Sequence, residues 1–305
     1  MKKKNVINIL IGMAVVFYII FGTNALDDIK NSTASVINAG EEEVVEVNSG
    51  EELMVYFLDV GQADSILIRA GNNNMLIDAG NNEDGALIVS YLKELGVEQL
   101  DYVVGTHPHE DHIGGMDDII NNFDIETYMM PDVLSTTKTF EDVLTALSNN
   151  NLTYLVPKEG SSYDLGSADV KIIYVGEEGG DLNDASVVLK LTYGDNSFLF
   201  TGDATSNVEE ELLESNANIK SDVLKVAHHG SDYSSTNEFI DAVNPEYAVI
   251  SVGKNNSYNH PSLNTLEKFN KRNIKVYRTD EDNTIIFTSN GSDLTITTES
   301  TNTNG

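Results

Sequence analysis

The chain has 305 residues, of which 40% are hydrophobic, so it can bury the core of one large domain or two small ones, and wholesale disorder is not expected. It contains no cysteine, which excludes a disulfide framework and any thiolate metal site. Its formal net charge is −31, and a surface of this sign disfavours tight, nonspecific binding along nucleic acid.

The N-terminus has the layout of an export signal. Three lysines within the first four residues precede an uncharged apolar run from about Ile9 to Phe21, and Ala25 is a small residue suited to cleavage. Residues 1–25 are therefore interpreted as a cleaved signal peptide or a short membrane anchor, with a buried N-terminal helix as the third alternative. Either of the first two predicts an extracytoplasmic protein, secreted or held at the membrane.

Residues 26–52 are polar and acidic and lack a hydrophobic period, which predicts a solvated linker.

The remaining chain alternates between strand and helix patterns. Short β-branched and aromatic runs predict strands at residues 54–58, 65–68, 75–77, 102–105, 170–175, 187–193, 197–201, 223–227 and 247–252. Apolar residues spaced by three and four predict helices at residues 85–95, 113–121, 140–147, 207–214, 238–243 and 263–269. Residues 274–298 alternate short strands with turns, and residues 300–305 form a polar tail. This order predicts an α/β (α+β) domain over residues 53–299, in which two sheets pack face to face and helices cover them.

The segment His107-Pro108-His109-Glu110-Asp111-His112 follows a predicted strand and holds three of the six histidines of the chain. Two imidazoles spaced i, i+2 on extended backbone can face one metal ion, while Asp111 and His112 can turn toward a second ion beside it. The alternative is a solvated histidine-rich loop. The crowding of ligand-type residues favours the metal site.

Two further polar segments follow predicted strands. Asp203 comes just after the strand 197–201, where it can bridge two cations or cap the next helix. In the segment from Lys225 to Ser231, one of His228 and His229 is expected to bind metal and the other to form a hydrogen bond or contact substrate.

Asp184 and His260 are additional candidates for metal ligands. Asn183-Asp184 precedes a predicted strand and can supply an oxygen ligand, although such a pair also forms plain turns. His260, in Asn259-His260-Pro261, is compatible with a ligand, a substrate contact or a loop residue.

The H-x-H-x-D-H pattern resembles the motif of the metallo-β-lactamase superfamily. Four other segments resemble the hydrolase domain of ComEC-type competence proteins, namely residues 57–65, 76–80, 200–203 and 227–231. The resemblance covers roughly residues 54–262 and implies an αββα sandwich with two divalent ions. Zinc is the first choice for both ions, and manganese is the alternative. The ligands that it implies are His107, His109, Asp111, His112, Asp203 and His229. Asp203 would bridge the ions. Because a glycine follows His229, the resemblance favours His229 over His228 as the metal ligand.

Two departures from the family pattern affect these expectations. Ala63 replaces the second glycine of the family's D-V-G-Q-G-D-S, and the third histidine of the superfamily is absent before the strand that leads to Asp203. Asn183 or Asp184 stands near that place, which predicts a weaker or oxygen-rich first metal site. Family members of this type also carry a multi-helix membrane channel, and no hydrophobic segment beyond the N-terminus matches it, so the chain by itself is not expected to be a DNA-uptake channel.

Three aspartates in the resembling segments have a different expected role. Asp59, Asp64 and Asp78 lie at strand ends, where we expect them to accept backbone hydrogen bonds and to shape the floor of the site rather than to bind metal.

The expected function is that of a metal-dependent hydrolase. Two adjacent cations lower the pKa of a shared water to about 7 and so supply hydroxide without a Ser or Cys nucleophile. Asp111 and Asp203 would serve catalysis as ligands, while Lys225, His228 or His260 would neutralise charge on the substrate or leaving group. The resemblance favours phosphodiester hydrolysis, and the acidic surface favours a small or single-ended phosphoester substrate. The alternatives are an ester, lactone or β-lactam hydrolase and a non-catalytic, surface-tethered metal-binding module. The identity of any protein partner does not follow from the sequence.

Overall fold

The computed structural model describes residues 51–177 and 179–299. Fifteen strands form within them: β1 Leu53–Phe57, β2 Ser65–Ala70, β3 Asn73–Ala79, β4 Gln99–Val104, β5 Asp124–Met129, β6 Tyr154–Leu155, β7 Ser162–Leu165, β8 Ala168–Tyr174, β9 Val188–Tyr193, β10 Asn196–Phe200, β11 Val223–Lys225, β12 Tyr247–Ile250, β13 Lys275–Arg278, β14 Ile285–Ser289 and β15 Leu294–Thr298. The α-helices are α1 Gly85–Glu94, α2 Glu110–Ile113, α3 Met116–Asn122, α4 Lys138–Asn149, α5 Ser206–Glu214, α6 Asn237–Val243, α7 Leu263–Lys271 and α8 Thr279–Asp282. Two single 3₁₀ turns, Leu182–Ala185 and Ala227–Gly230, complete the secondary structure of these residues.

The strands form two sheets. The first has the order β15-β14-β1-β2-β3-β4-β5-β6, and the second has the order β13-β12-β11-β10-β9-β8-β7. In the first sheet β3, β4, β5 and β6 are parallel to one another, and in the second β10, β11, β12 and β13 are parallel. Polar loops at the carboxyl ends of such parallel strands are the usual place for a site in a sheet of this kind.

Side chains of the strands alternate between two cores. In β1, Val55 and Phe57 point into the space between the sheets, whereas Tyr56 points to the opposite face, where helices cover the first sheet. The Phe57 ring lies 6.2 Å from the ring of Phe200 of β10, so the two inner faces interdigitate. A third core, which includes Leu199 of β10, lies between the second sheet and its helices. The resulting αββα sandwich confirms the predicted fold class.

Two glycines shape the loop that carries the histidine motif. A Cβ on Gly114 would lie 2.2 Å from the backbone carbon of Asn81, and a Cβ on Gly115 would lie 2.5 Å from the carbonyl oxygen of Ala79. Only glycine permits this approach of the loop to the end of β3. The helix predicted near 113–121 is present as α3, but it begins at Met116, because the chain turns at these glycines and separates it from α2.

The predicted strands otherwise lie close to the observed ones, but β5, β6 and β7 were not predicted. β6 has only two residues, and β5 has the sequence Asp-Ile-Glu-Thr-Tyr-Met, whose apolar pattern is interrupted by charged residues.

Three predicted segments lie outside the described residues, namely the signal or anchor at residues 1–25, most of the linker, and the tail. Within the described part of the chain, no helix combines the length and the hydropathy needed to cross a membrane.

Candidate metal centre

The histidine motif leaves the carboxyl end of β4 and enters α2 within a few residues. His109 has extended backbone (φ −80°, ψ 152°) at the start of α2, so its ring lies on the same side as that of His107. His107 Nε2 and His109 Nδ1 lie 3.0 Å apart. Two nitrogens bound tetrahedrally to one zinc ion at 2.0–2.1 Å would be about 3.3 Å apart, so this spacing suits a shared ion.

A second group of ligand-type atoms lies beside this pair. Asp111, His112, Asp203 and His229 each place one ligand atom within 4.8 Å of the others. Asp203 Oδ1 lies 3.2 Å from His112 Nε2, and Asp203 Oδ2 lies 3.8 Å from His229 Nε2. Asp111 Oδ2 lies 3.3 Å from the same nitrogen of His229. The loops after β4, β10 and β11 thus meet at one point between the two sheets.

The hydrogen bonds of the histidines indicate which nitrogen faces this point. His229 Nδ1 lies 2.9 Å from the carbonyl oxygen of Ser251, which can only accept, so Nδ1 donates and the neutral ring keeps its lone pair on Nε2. His112 Nδ1 lies 2.8 Å from Asp78 Oδ2, which orients this ring in the same way.

Buried polar atoms at the centre lack partners. His112 Nε2 and Asp203 Oδ1 are both buried, and neither makes a hydrogen bond, although they lie near each other. Unpaired buried polar atoms are costly, and a divalent cation would satisfy both of them. The imidazole and carboxylate donors therefore fit the metal ions that the family resemblance implies.

Asp78 orients two of these histidines. It adopts a left-handed backbone conformation (φ 59°) at the end of β3, and its carboxylate accepts from His112 Nδ1 and from the backbone N and Oγ1 of Thr106, each at 2.8 Å. Thr106 Oγ1 in turn lies 3.1 Å from His107 Nδ1 and can accept from it. One carboxylate thus aligns both rings, in the supporting role expected from its position.

Behind the histidines lies a buried ion pair. Lys225 Nζ lies 2.6 Å from Asp64 Oδ2, and each of the two residues is 1% exposed. The ammonium also donates to the carbonyl oxygen of Val226 at 3.1 Å, and Asp64 Oδ1 lies 3.5 Å from His229 Nδ1. Lys225 was expected to neutralise charge on the substrate. In the structure its ammonium instead pairs with the carboxylate of Asp64, and Lys225 does not line the cleft.

The charges at the centre shift the pKa values of its groups in opposite directions. Burial would lower the pKa of His112, but the carboxylates of Asp203 and Asp78 outweigh it and hold this pKa well above its ordinary value. Burial would raise the pKa of Asp203, but His112 and His229 hold it well below the usual range. Burial also holds the pKa of His107 well below its ordinary value, and the charge of His112 adds to this effect. Asp203 is therefore ionised at neutral pH, which is the form that binds cations.

A cleft of about 960 Å³ opens over the centre. His228 and His229 both have left-handed backbone (φ 52°), a strained pair of conformations of the kind found at functional sites. This turn directs His229 inward and places His228 on the cleft wall, with Nε2 at 3.9 Å from Asp203 Oδ2. His260 lies on the rim with its ring 5.7 Å from that of His228, outside the two groups of ligand atoms.

The two candidates in the turn Leu182–Ala185 face different ways. Asp184 accepts hydrogen bonds from Thr205 Oγ1 and from Asn207 Nδ2 at the start of α5, and it does not line the cleft. Asn183 does line the cleft, is 9% exposed, and its Oδ1 has no hydrogen-bond partner. Asn183, rather than Asp184, therefore has the oxygen that can face a metal ion.

Sequence reasoning missed two hydroxyl groups of the site. Ser186 Oγ accepts from the backbone N of Asp203 at 3.1 Å and lies 3.4 Å from His107 Nδ1. Thr106, described above, bridges His107 and Asp78. The position of Thr106 directly before the motif was a usable signal, whereas nothing in the sequence marked Ser186.

The cleft is acidic at its rim. Among the described residues that line it are Asp59, Glu83, Asp84 and Glu110, and none of the lining residues is a lysine or an arginine. A polyanion would meet repulsion here unless bound cations offset it.

A family model described as the metallo-beta-lactamase superfamily matches residues 58–254, which include both groups of ligand atoms. The chain belongs to the metallo-beta-lactamase superfamily. The fold and the ligand set together make it a metal-dependent hydrolase of that fold. Superfamily members of this fold normally bind divalent metals, and the cluster described above is the candidate for that site.

Two curated relatives are at least 31% identical to this chain. The chain is 31% identical to ComE operon protein 3 of Bacillus subtilis (strain 168) over 252 residues, which cover 76% of this chain and 32% of the relative. It is 32% identical to competence protein ComA of Neisseria gonorrhoeae over 233 residues, which cover 75% of this chain and 31% of the relative. The chain thus spans about a third of the length of these relatives.

Solved structures show the same fold. YhfI of Bacillus subtilis, a metallo-beta-lactamase fold protein, matches with a TM-score of 0.50 at 11% identity, over 75% of this chain and 95% of that one. Igni18 of Ignicoccus hospitalis KIN4/I, a metallo hydrolase, matches with a TM-score of 0.50 at 16% identity, over 77% of this chain and 98% of that one. At these identities the likeness concerns the fold alone.

Proposed function

We propose that the chain is a dinuclear metal-dependent phosphodiesterase that hydrolyses small or single-ended phosphodiesters. The observation that carries this proposal is the buried cluster in which His112 Nε2 and Asp203 Oδ1 face each other without hydrogen bonds, next to the His107 and His109 nitrogens. One relative is named as a competence protein, and recombination protein 2 of Haemophilus influenzae, 26% identical to this chain over 227 residues, is named for recombination. Recombination acts on DNA, and DNA is a phosphodiester.

In this proposal each side chain of the cluster has one role. His107 and His109 would hold the first ion, with Asn183 Oδ1 as an oxygen ligand in place of a third histidine. Asp111, His112 and His229 would hold the second ion, and Asp203 would contribute its carboxylate to the same centre. Zinc, or manganese as the second choice, suits these nitrogen and oxygen donors.

When bound, such ions lower the pKa of water toward neutrality and polarise the oxygen under attack. The chain's own residues then position the reactants. Asp111, whose side chain is 32% exposed, and His228, at 23%, face the cleft. His228 lines the cleft with its Nε2 3.9 Å from Asp203 Oδ2, so its imidazole is placed to contact a phosphoryl or leaving-group oxygen. Lys225 supports the ligands through Asp64 rather than by contact with substrate.

The proposal is tested by elemental analysis of metal content and by hydrolysis of bis-p-nitrophenyl phosphate. We expect two ions per chain and turnover that a chelator abolishes. Asp111→Asn should lose metal and lower kcat by about 100-fold or more, the loss that follows removal of a single electrostatic contact to a transition state. Its neighbour Glu110, which contacts Asn82 at 2.8 Å, provides the matched control, and Glu110→Gln should retain both ions. Full metal content and activity in Asp111→Asn would contradict the assignment.

The second candidate is hydrolysis of an ester, lactone or β-lactam, and the cleft without lysine or arginine favours it because such substrates carry less negative charge. Parallel assays with p-nitrophenyl acetate, dihydrocoumarin and nitrocefin separate the two reactions. One ion or none, without turnover of any substrate, would instead support the metal-binding module.

We also propose an extracytoplasmic location, on the basis of residues 1–25. A fusion of these residues to a reporter that is active only outside the cytoplasm should be active. An inactive fusion that is stably produced would refute this location.

A further inference from the structure

A series of aromatic rings leads outward from the metal centre. The ring of His228, next to Asp203, lies 5.7 Å from that of His260, edge to face. The ring of His260 lies 5.8 Å from that of Tyr258 at an interplanar angle of 20°, so these two rings are nearly parallel. The series ends at Tyr258, whose ring is open to solvent.

Tyr258 and His260 line both the catalytic cleft and a neighbouring recess of about 600 Å³. Tyr233 and Leu263 also line this recess. Leu263, Tyr233 and Tyr258 are 80%, 74% and 66% exposed, and these are three of the four most exposed large hydrophobic side chains among the described residues. Such a cluster next to a catalytic cleft is typical of a binding surface rather than of scattered surface residues.

Hydrogen bonds fix the two loops that carry the rings. Asn256 Nδ2 donates to the carbonyl oxygen of His260 at 2.6 Å, and Asn256 Oδ1 accepts from the backbone N of Tyr258 and of His260 at 3.1 and 3.0 Å. Asp232, next to Tyr233, accepts from Ser262 Oγ at 2.5 Å and thereby joins the two loops. The surface is therefore largely formed before a ligand binds, which lowers the entropy lost on binding.

Neither the recess nor the cleft is lined by a lysine or an arginine within the described part of the chain. A ligand that carries a phosphodiester cannot gain affinity from cationic side chains here. It can gain affinity from stacking, because every nucleobase has a planar face that packs on tyrosine regardless of sequence.

We propose that Tyr258, together with Tyr233, forms a stacking subsite for the nucleobase of the residue adjoining the scissile phosphodiester. This inference rests on the proposed function and specifies its substrate as a nucleotide or the end of a single strand. Base recognition through stacking also accounts for how an acidic protein could select such a substrate without a basic groove.

The test compares thymidine 5′-(p-nitrophenyl phosphate) with methyl p-nitrophenyl phosphate, which share a leaving group and differ in the nucleoside. The metal-loaded full chain should prefer the nucleoside ester in kcat/KM. Tyr258→Ala should reduce this preference by about tenfold, the loss expected for removal of one stacked ring. Tyr258→Phe keeps the ring and should keep the preference. Leu155→Ala, an exposed position on β6 that lines neither cavity, serves as the matched control.

A second readout does not depend on activity. Isothermal titration calorimetry of the dinucleotide TpT in the presence of a chelator should give a Kd that rises about tenfold in Tyr258→Ala and less in Tyr233→Ala. If neither p-nitrophenyl ester is hydrolysed, the proposed function fails, and the stacking subsite is judged by calorimetry alone. Absence of TpT binding in the parent chain, or equal affinity and equal ester preference in Tyr258→Ala, would overturn the subsite.

Discussion

Replacing Lys225 by methionine removes the ammonium that faces Asp64 in the layer behind the metal centre. The two groups are 2.6 Å apart, and both residues are 1% exposed. Asp64 Oδ1 already lacks a hydrogen-bond partner, so the variant would leave this carboxylate buried with little compensation. Removal of one partner from a buried ion pair costs about 3–5 kcal/mol. The carbonyl oxygen of Val226 also loses a donor, which adds about 1 kcal/mol.

A loss of this size is a large share of the 5–15 kcal/mol that stabilises a typical domain. The free energy of unfolding would be measured by urea denaturation at pH 7 in the presence of a chelator, so that metal binding does not add to the stability of the folded state. The dependence of this free energy on urea concentration should be unchanged, which shows that the same surface unfolds in both proteins.

A double-mutant cycle separates the ion pair from other effects. Asp64→Asn leaves the ammonium of Lys225 buried without its partner, and it should also be strongly destabilising. The double variant should cost about 1–3 kcal/mol less than the sum of the single variants, because neither charge is left alone. A cost below about 1 kcal/mol for Lys225→Met, or additive single and double costs, would refute the role assigned to this pair.

Two more predictions follow from the support of the ligands. Asp78→Asn should lower metal affinity about 10–100-fold, because Asp78 orients His112 directly and His107 through Thr106. The affinity would be measured by competition with a chromophoric chelator. A loss of affinity below about threefold would contradict the orienting role of Asp78. Gly114→Ala should destabilise the fold by at least about 1–3 kcal/mol and reduce metal content, because the added Cβ would lie 2.2 Å from backbone atoms that cannot yield easily. Gly180→Ala, where a Cβ would meet no atom within 4 Å, is the matched control, and equal urea midpoints for the two variants would show that the close approach is unimportant.

Much of the fold followed from local patterns. The alternation of β1 and the apolar runs of β2 and β3 predicted these strands, because side chains on a strand point to opposite faces and both faces are covered here. The start of the helix predicted near 113–121 was wrong, because periodicity does not report that Gly114 lies against Asn81. Such contacts depend on residues far apart in the sequence.

The same contrast applies to the candidate site. His107, His109, Asp111 and His112 stand together in the sequence, so local spacing was sufficient to propose them as ligands. Asp203 and His229 were also proposed as ligands, and only the tertiary structure shows that they lie in the same cluster. It also turns the side chain of Asp184 toward Thr205 and Asn207, while Asn183 faces the cleft. Two neighbours of similar chemistry point in different directions because the 3₁₀ turn separates their side chains.

The sequence alone determined the chemical type of the centre, because a chain without cysteine offers nitrogen and oxygen ligands but no thiolate, and the densest cluster of histidines and carboxylates is one continuous motif. It also determined the two-sheet architecture through strand periodicity. Only the tertiary structure decided that Lys225 neutralises Asp64 instead of facing substrate, and that Tyr233 and Tyr258 share one recess beside the cleft. The physical reason is that charge pairing and side-chain exposure depend on which loops meet at the carboxyl ends of the two sheets, and no local pattern encodes that meeting.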